Sequence, residues 1–121
     1  MPQLLAHITS LTFHNIPVTL QDFENGSNPG YCHQNCFNYQ KKYTDAEILR
    51  GWLENKCASL EYGYVLHSII RHNNQLLDPT PFIVPSLRGN FAIDNSIIWN
   101  NKKEKDWEFE IPGIGTLPRK L

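Results

Sequence analysis

From Tyr62 to His72 the chain is crowded with β-branched and aromatic residues, Tyr62, Tyr64, Val65, Ile69 and Ile70 among them. The run breaks at Asn73-Asn74 and resumes as Gln75-Leu76-Leu77-Asp78. Two β-rich runs around a short polar pair predict a β-hairpin. Asp78-Pro79-Thr80-Pro81 then ends the second strand, because two prolines cannot continue a central hydrogen-bond ladder. With the turn at 73–74, Asp78 falls across from roughly residue 69. His67 is then about one diagonal step away, within side-chain reach.

A second constraint lies upstream. Asn25-Gly26-Ser27-Asn28-Pro29-Gly30 is the strongest loop signal in the chain. It runs straight into a segment where Cys32, Cys36, Tyr39 and Tyr43 recur at helical spacing. Lys41 and Lys42 fall in the last turn, where cations suit the helix dipole. This predicts a helix over 31–42 with Cys32 in its first turn. Residues 48–54 read as a strand, in preference to a second helix opened by a Thr44/Glu47 capping box. Residues 3–23 alternate in part, as at Ile16, Val18 and Leu20, and Pro17 points to a sheet edge; short strands or a lead-in segment are expected there. Further short strands are expected at 91–99 and 107–111, and the stretch from Ile111 to Pro118 reads as irregular. The fold class is therefore α+β: one helix, carrying Cys32, packed on a small antiparallel sheet.

At 121 residues the chain fits one domain, 1–121, and a 40% apolar fraction lets it bury a core. A net charge of −1 leaves no electrostatic footprint for nucleic acid. The one charge cluster, Lys102-Lys103-Glu104-Lys105-Asp106, mixes signs and reads as a solvated turn. No apolar run approaches the length of a membrane span. Residues Met1 to His7 show neither a basic n-region nor a long apolar h-region, so a secretory signal is not expected. Three cysteines without a disulfide-scaffold pattern suit a reducing compartment. The expected location is cytoplasmic, with an effector or toxin domain exported without a signal peptide as the variant of that reading.

Three residues are placed where chemistry could use them. A thiol at a helix start, as at Cys32, feels the positive end of the macrodipole, which favours the nucleophilic thiolate. Backbone N–H groups of a first helical turn can stabilise an oxyanion. A strand histidine, His67, can pair with the thiolate and later protonate a leaving group. A carboxylate on the adjacent strand, Asp78, can orient the imidazole and fix its tautomer. Taken singly, each has a plainer reading: Cys32 as a small buried hydrophobe, His67 as a satisfied core histidine, Asp78 as a turn residue. Order, spacing and hairpin placement together favour the triad. Structural zinc is disfavoured, since Cys32 and Cys36 are one helical turn apart and Cys57 has no nearby partner cysteine. His33 points about 100° away from Cys32 around the helix and reads as structural. Cys36 and Cys57 read as core-facing, and Trp52, Trp99 and Trp107 as core or pocket walls.

The matching segments are Gly30-Tyr31-Cys32-His33-Gln34-Asn35, Tyr64-Val65-Leu66-His67-Ser68-Ile69-Ile70 and Leu77-Asp78-Pro79-Thr80-Pro81. In order and spacing they resemble the transglutaminase-like branch of the papain-like cysteine hydrolases, over residues 30–81. They are also similar to small bacterial proteins with a Cys-His-x-Asn helix start, a Gly-Trp strand (here Gly51-Trp52), a strand histidine and an Asp-x-Thr-Pro end. The resemblance implies Cys32 as nucleophile, His67 as general base and acid, and Asp78 as orienter. It further implies a papain-like/transglutaminase-like core, a protein or peptide substrate, and no metal or organic cofactor. Papain-like enzymes commonly carry an oxyanion-donating Gln shortly before the nucleophile. The stretch from Gly26 to Tyr31 has none, which leaves Asn28, Gln21 or Asn35 for that role. Tyr31 and Trp52 are the substrate-pocket candidates. The aromatic that often follows the histidine is absent, since Ser68-Ile69 stands there. The implied activity is hydrolysis or acyl transfer at an amide or thioester carbonyl, as in a protease, deamidase or transglutaminase. The competing expectation is a non-enzymatic inhibitor, immunity or accessory protein on the same scaffold.

Overall fold

The computed structural model describes residues 2–19, 32–56, 63–81, 85–101 and 108–117. Within them lie helices α1 (Pro2–Thr9) and α2 (Cys32–Lys42) and strands β1 (Glu47–Asn55), β2 (Tyr64–His72), β3 (Gln75–Leu77), β4 (Arg88–Ile93), β5 (Ile98–Asn101), β6 (Glu108–Ile111) and β7 (Gly115–Thr116). The protein is a small α+β structure. Its main sheet is antiparallel with strand order β3-β2-β1-β4, and β5-β6-β7 form a second, smaller antiparallel sheet.

The hairpin is built as its sequence predicts. Asn73 and Asn74 both take left-handed backbone angles (φ 53° and 62°) between the paired residues His72 and Gln75. Asn tolerates that region better than any other residue with a side chain, and two such residues in succession match the right-handed twist of the strands. The register Ile70 to Leu77 places Asp78 just beyond the ladder, level with Ile69.

The segment before the first loop departs from expectation. Pro2–Thr9 is a helix rather than a strand. Leu4 and Ile8, one turn apart, put a continuous apolar stripe against Trp52, Leu66, Phe109, Ile111 and Leu117. The partial alternation further on, at Ile16 and Val18, marks an extended strap. Its hydrogen bonds reach both edges of the main sheet. His14 exchanges two backbone bonds with Phe91 of β4, both 2.8 Å. At the other edge the Asp78 N–H donates to the Pro17 carbonyl (3.0 Å), and Thr19 N–H donates to the Asp78 carbonyl (2.8 Å). Ile16 is buried between these anchors, against Leu53, Ile69 and Phe91. The expected strand over 91–99 is divided. Arg88–Ile93 belongs to the main sheet, a turn follows, and Ile98 opens the second sheet. Part of the stretch expected to be irregular, Gly115–Thr116, is β7.

The main sheet buries both faces. On one, Ile70 packs with Cys36, Tyr39 and Ala46 beneath α2, and Trp52 and Leu66 pack beneath α1 and the small sheet. On the other, Leu53, Ile69 and Phe91 pack under the strap. Gly51 is at the tightest point: a Cβ there would collide with the Ala92 carbonyl and press on the Phe91 ring. Its lack of a side chain lets β4 close on β1 directly across from His67, the Gly51 partner on β2. Gly51→Ala is expected to destabilise the fold by about 1–3 kcal/mol, the range for overpacked cores. Urea denaturation checks this, and an unchanged midpoint would contradict the packing described.

Candidate active site

Cys32 is the first residue of α2. Along α2, His33 meets Ser68 (Nδ1 to Oγ, 2.5 Å), Cys36 packs on Ile70, and the Tyr39 hydroxyl meets His72 Nδ1 (2.8 Å). The helix therefore follows the even-numbered positions of β2. His67 projects to the opposite face, where its ring packs edge-on to Phe91 at 6.0 Å. β3 pairs only with Ile70, Arg71 and His72 and stops before the level of His67. The charges of His33 and His67 both act on the Cys32 thiol.

Asp78 organises the rest. It is fully buried, and its Oδ2 accepts from His67 Nε2 at 2.7 Å and from Arg88 Nη2 at 2.8 Å. Its Oδ1 accepts the Thr80 N–H at 3.0 Å, a bond across two residues that tightens the turn at the prolines. Thr80 Oγ1 in turn accepts from the Asn35 side-chain amide at 3.0 Å. This ties the Asp78 turn to α2, one turn after Cys32.

The charges form an alternating series: sulfur, imidazole, carboxylate, guanidinium. Burial alone would push the Cys32 thiol up. The charges of His33 and then His67, with hydrogen bonds from both, outweigh it and hold the thiol well below its ordinary 9.0. Burial would depress His67, but Asp78 and then Cys32 raise it from 6.5 to about 10. Burial would raise Asp78, but His67, Arg88 and the Thr80 N–H pull it below its usual value. The two shifts run in opposite senses, and both favour the charged pair. Cys36, wholly buried and subject to the charges of Cys32 and Asp78, is driven the other way, well above 9.0.

Of the residues singled out by sequence, the structure brings together Cys32, His67 and Asp78. Asn35, a candidate oxyanion donor, is buried, and its amide nitrogen is engaged with Thr80, so it acts as a brace for the Asp78 turn. Trp52, a candidate pocket wall, is fully buried in the core, and its indole N–H donates to Asp94 Oδ2 at 3.1 Å. Gln21, Asn28, Tyr31, Cys57, Trp107 and the 102–106 charge cluster lie outside the described residues. Trp99 is half-buried, with the Arg50 guanidinium 4.6 Å above its ring.

Two participants escaped the sequence reading. Arg88 carries no local signal, because its role depends on its guanidinium reaching Asp78 from the start of β4. Helical geometry alone reads His33 as structural, yet its charge acts on the Cys32 thiol ahead of that of His67. A separate buried carboxylate, Asp94, binds His7 Nε2 (2.8 Å), Ser96 Oγ (2.5 Å) and the Trp52 indole, and so joins α1 to the main sheet. Here His7 Nε2 faces both Asp94 and Ser96, so the imidazole does not relay between them, and the cluster is structural.

Among the described residues no group of three or more His, Cys, Asp or Glu side chains converges as a metal site, and no helix is long and apolar enough to cross a membrane. No protein-family model, curated protein or solved structure matches the chain.

Iodoacetamide at a pH below the ordinary thiol range should label Cys32 and spare Cys36. As pH falls, labelling should decline only once the depressed Cys32 value is passed. His67→Ala should move that decline upward toward the ordinary thiol range. Peptide mass mapping reads both results; equal slow labelling of Cys32 and Cys36 would contradict the thiolate assignment.

Proposed function

We propose that this protein is a cysteine-dependent hydrolase or acyltransferase that acts on amide or thioester carbonyls of a protein or peptide, through Cys32, His67 and Asp78. One observation carries the reading: His67 is held at Nε2 by a buried carboxylate, and its charge and that of the Cys32 thiol act on each other. That arrangement is the general form of an activated nucleophile, its base and the group that orients the base. A nucleophile-bearing helix packed on an antiparallel sheet, with the histidine on a strand, also suits a papain-like/transglutaminase-like core. Protease, deamidase and transglutaminase chemistry all use this step, and a cytoplasmic setting keeps the thiol reduced.

The thiolate of Cys32 attacks the carbonyl carbon, forming a C–S bond and placing the carbonyl electron pair on oxygen. N–H groups of the α2 first turn stabilise that oxyanion. As the intermediate collapses, the C–N or C–S bond to the leaving group breaks, and the His67 imidazolium gives its proton to the departing atom. His67, now neutral, takes a proton from water or an amine as that nucleophile attacks the acyl-thioester. Collapse of the second intermediate expels the Cys32 thiolate and restores the imidazolium. Asp78 keeps its charge throughout and holds the ring in one tautomer. No metal or organic cofactor takes part.

Incubation with an activated acyl ester such as p-nitrophenyl acetate tests this. The expected result is a burst of nitrophenol equal to the protein concentration, with the acetyl mass on the peptide containing Cys32. Cys32→Ala should abolish both. His67→Ala should slow acylation at least a hundredfold, the lower range for loss of a general base (~10²–10⁴). Absence of a burst with an intact, reactive Cys32 would leave the chain as a binding protein on this scaffold.

A further inference from the structure

Two cationic side chains share one oxygen of Asp78. His67 Nε2 lies 2.7 Å from Oδ2, and Arg88 Nη2 lies 2.8 Å from the same atom. We propose that Arg88 is a positioning residue that acts through Asp78: its charge loosens the hold of His67 on a proton, so that the imidazolium can release that proton within a catalytic cycle. As a step of the reaction this rests on the reading of Cys32, His67 and Asp78 as a triad; as a statement about the His67 ring it stands without it.

The geometry limits what each oxygen of Asp78 can do. The residue is fully buried. Oδ1 takes the Thr80 N–H, inside the turn of its own backbone, and Oδ2 serves both side chains. With His67 as its only ionic partner, a buried carboxylate would hold the imidazole proton firmly, because loss of that proton strands an unpaired charge. Arg88 removes that penalty. Its guanidinium does not deprotonate in a folded protein, so Asp78 keeps a cation against it when His67 is neutral. The Arg88 side chain is only 10% exposed, and solvent and salt screen this pair less than a surface one. The guanidinium also repels the imidazolium across the shared oxygen. Both effects lower the cost of the neutral ring.

The contact is one-sided as well. A guanidinium that only clasps a carboxylate commonly spans both oxygens with two parallel bonds. Here the bond to Asp78 runs from Nη2 to Oδ2, and the buried Arg88 Nε has no hydrogen-bond partner. The cation is thus placed on the oxygen that holds the histidine. The titratable groups acting on His67 are Asp78, beyond β3, and Cys32, on α2, while Arg88 reaches it from β4 through Asp78. β1 brings Gly51 level with His67 and β4 brings Phe91 against the ring, neither of them charged.

The test is the proton titration of the His67 ring, followed by NMR of carbon-labelled histidine and assigned by its loss in His67→Ala. Cys32→Ala serves as the parent chain, because the sulfur also raises His67, and its removal brings the midpoint down into a convenient range. In that parent, Arg88→Gln keeps a donor for Oδ2 and removes the charge. It should raise the midpoint by about one pH unit, a tenfold tighter hold on the proton. Arg88→Lys, which keeps the charge, should titrate close to the parent. An Arg88→Gln midpoint equal to that of the parent, or an Arg88→Lys midpoint displaced as far as that of Arg88→Gln, overturns the inference and leaves Arg88 a clasp between β4 and Asp78. Should Arg88→Gln not fold, Arg88→Met, with its unbranched apolar stem, is read by the same criteria; if thermal unfolding shows that neither folds, Arg88 is a structural clasp and the inference falls. The p-nitrophenyl acetate burst of the chain with Cys32 intact reads the triad separately. A burst with an unmoved midpoint keeps the triad and removes Arg88 from its workings. A raised midpoint without a burst keeps the tuned histidine and removes the triad.

Discussion

An ionised carboxylate removed from water is stable only where other groups replace its hydration, and Asp78 is fully buried. His67, Arg88 and the Thr80 N–H make that replacement, and the backbone of Asp78 is held on both sides by the strap at Pro17 and Thr19. Everything else in the site depends on this residue. It fixes the His67 ring and raises that ring's affinity for a proton, and the charges of His33 and then His67 hold the Cys32 thiol low despite burial. Arg88 shares Oδ2 with His67, so it stabilises the carboxylate and also moderates its pull on the imidazole.

The position of the site follows from where strands stop. β3 ends at Leu77, short of the level of His67, because Pro79 and Pro81 cannot extend the ladder. Gly51 supports the same region from behind, since only a residue without a side chain lets Phe91 approach the back of His67. The residues that define the chemistry and those that define the packing are thus adjacent, and several serve both.

Much of this was legible in the chain. The Asn73-Asn74 turn, the proline stop and the helical spacing of Cys32, Cys36 and Tyr39 are local signals, and each sets one element. The register followed from turn length, and with it the diagonal from His67 to Asp78. The failures have a common cause. Helix α1 was missed because Leu4 and Ile8 make a short stripe whose value lies in the partners it covers, Trp52 and Phe109, from distant segments. Trp52 was offered as a pocket wall because an indole suits either role; Asp94, 42 residues away, supplies the acceptor that keeps it in the core. Asn35 had the right chemistry for an oxyanion donor, but Thr80 engages its amide.

The sequence by itself determined the α2 helix, the β2–β3 hairpin and the order of a thiol, an imidazole and a carboxylate along the chain. These depend on periodicity, turn residues and proline, all of which act over a few residues. Only the tertiary structure decided that the three groups act on one another, that Arg88 balances the carboxylate and that the charge of His33 also bears on the thiol. Charge balance and burial are properties of surroundings assembled from segments far apart in sequence, and no local pattern encodes them.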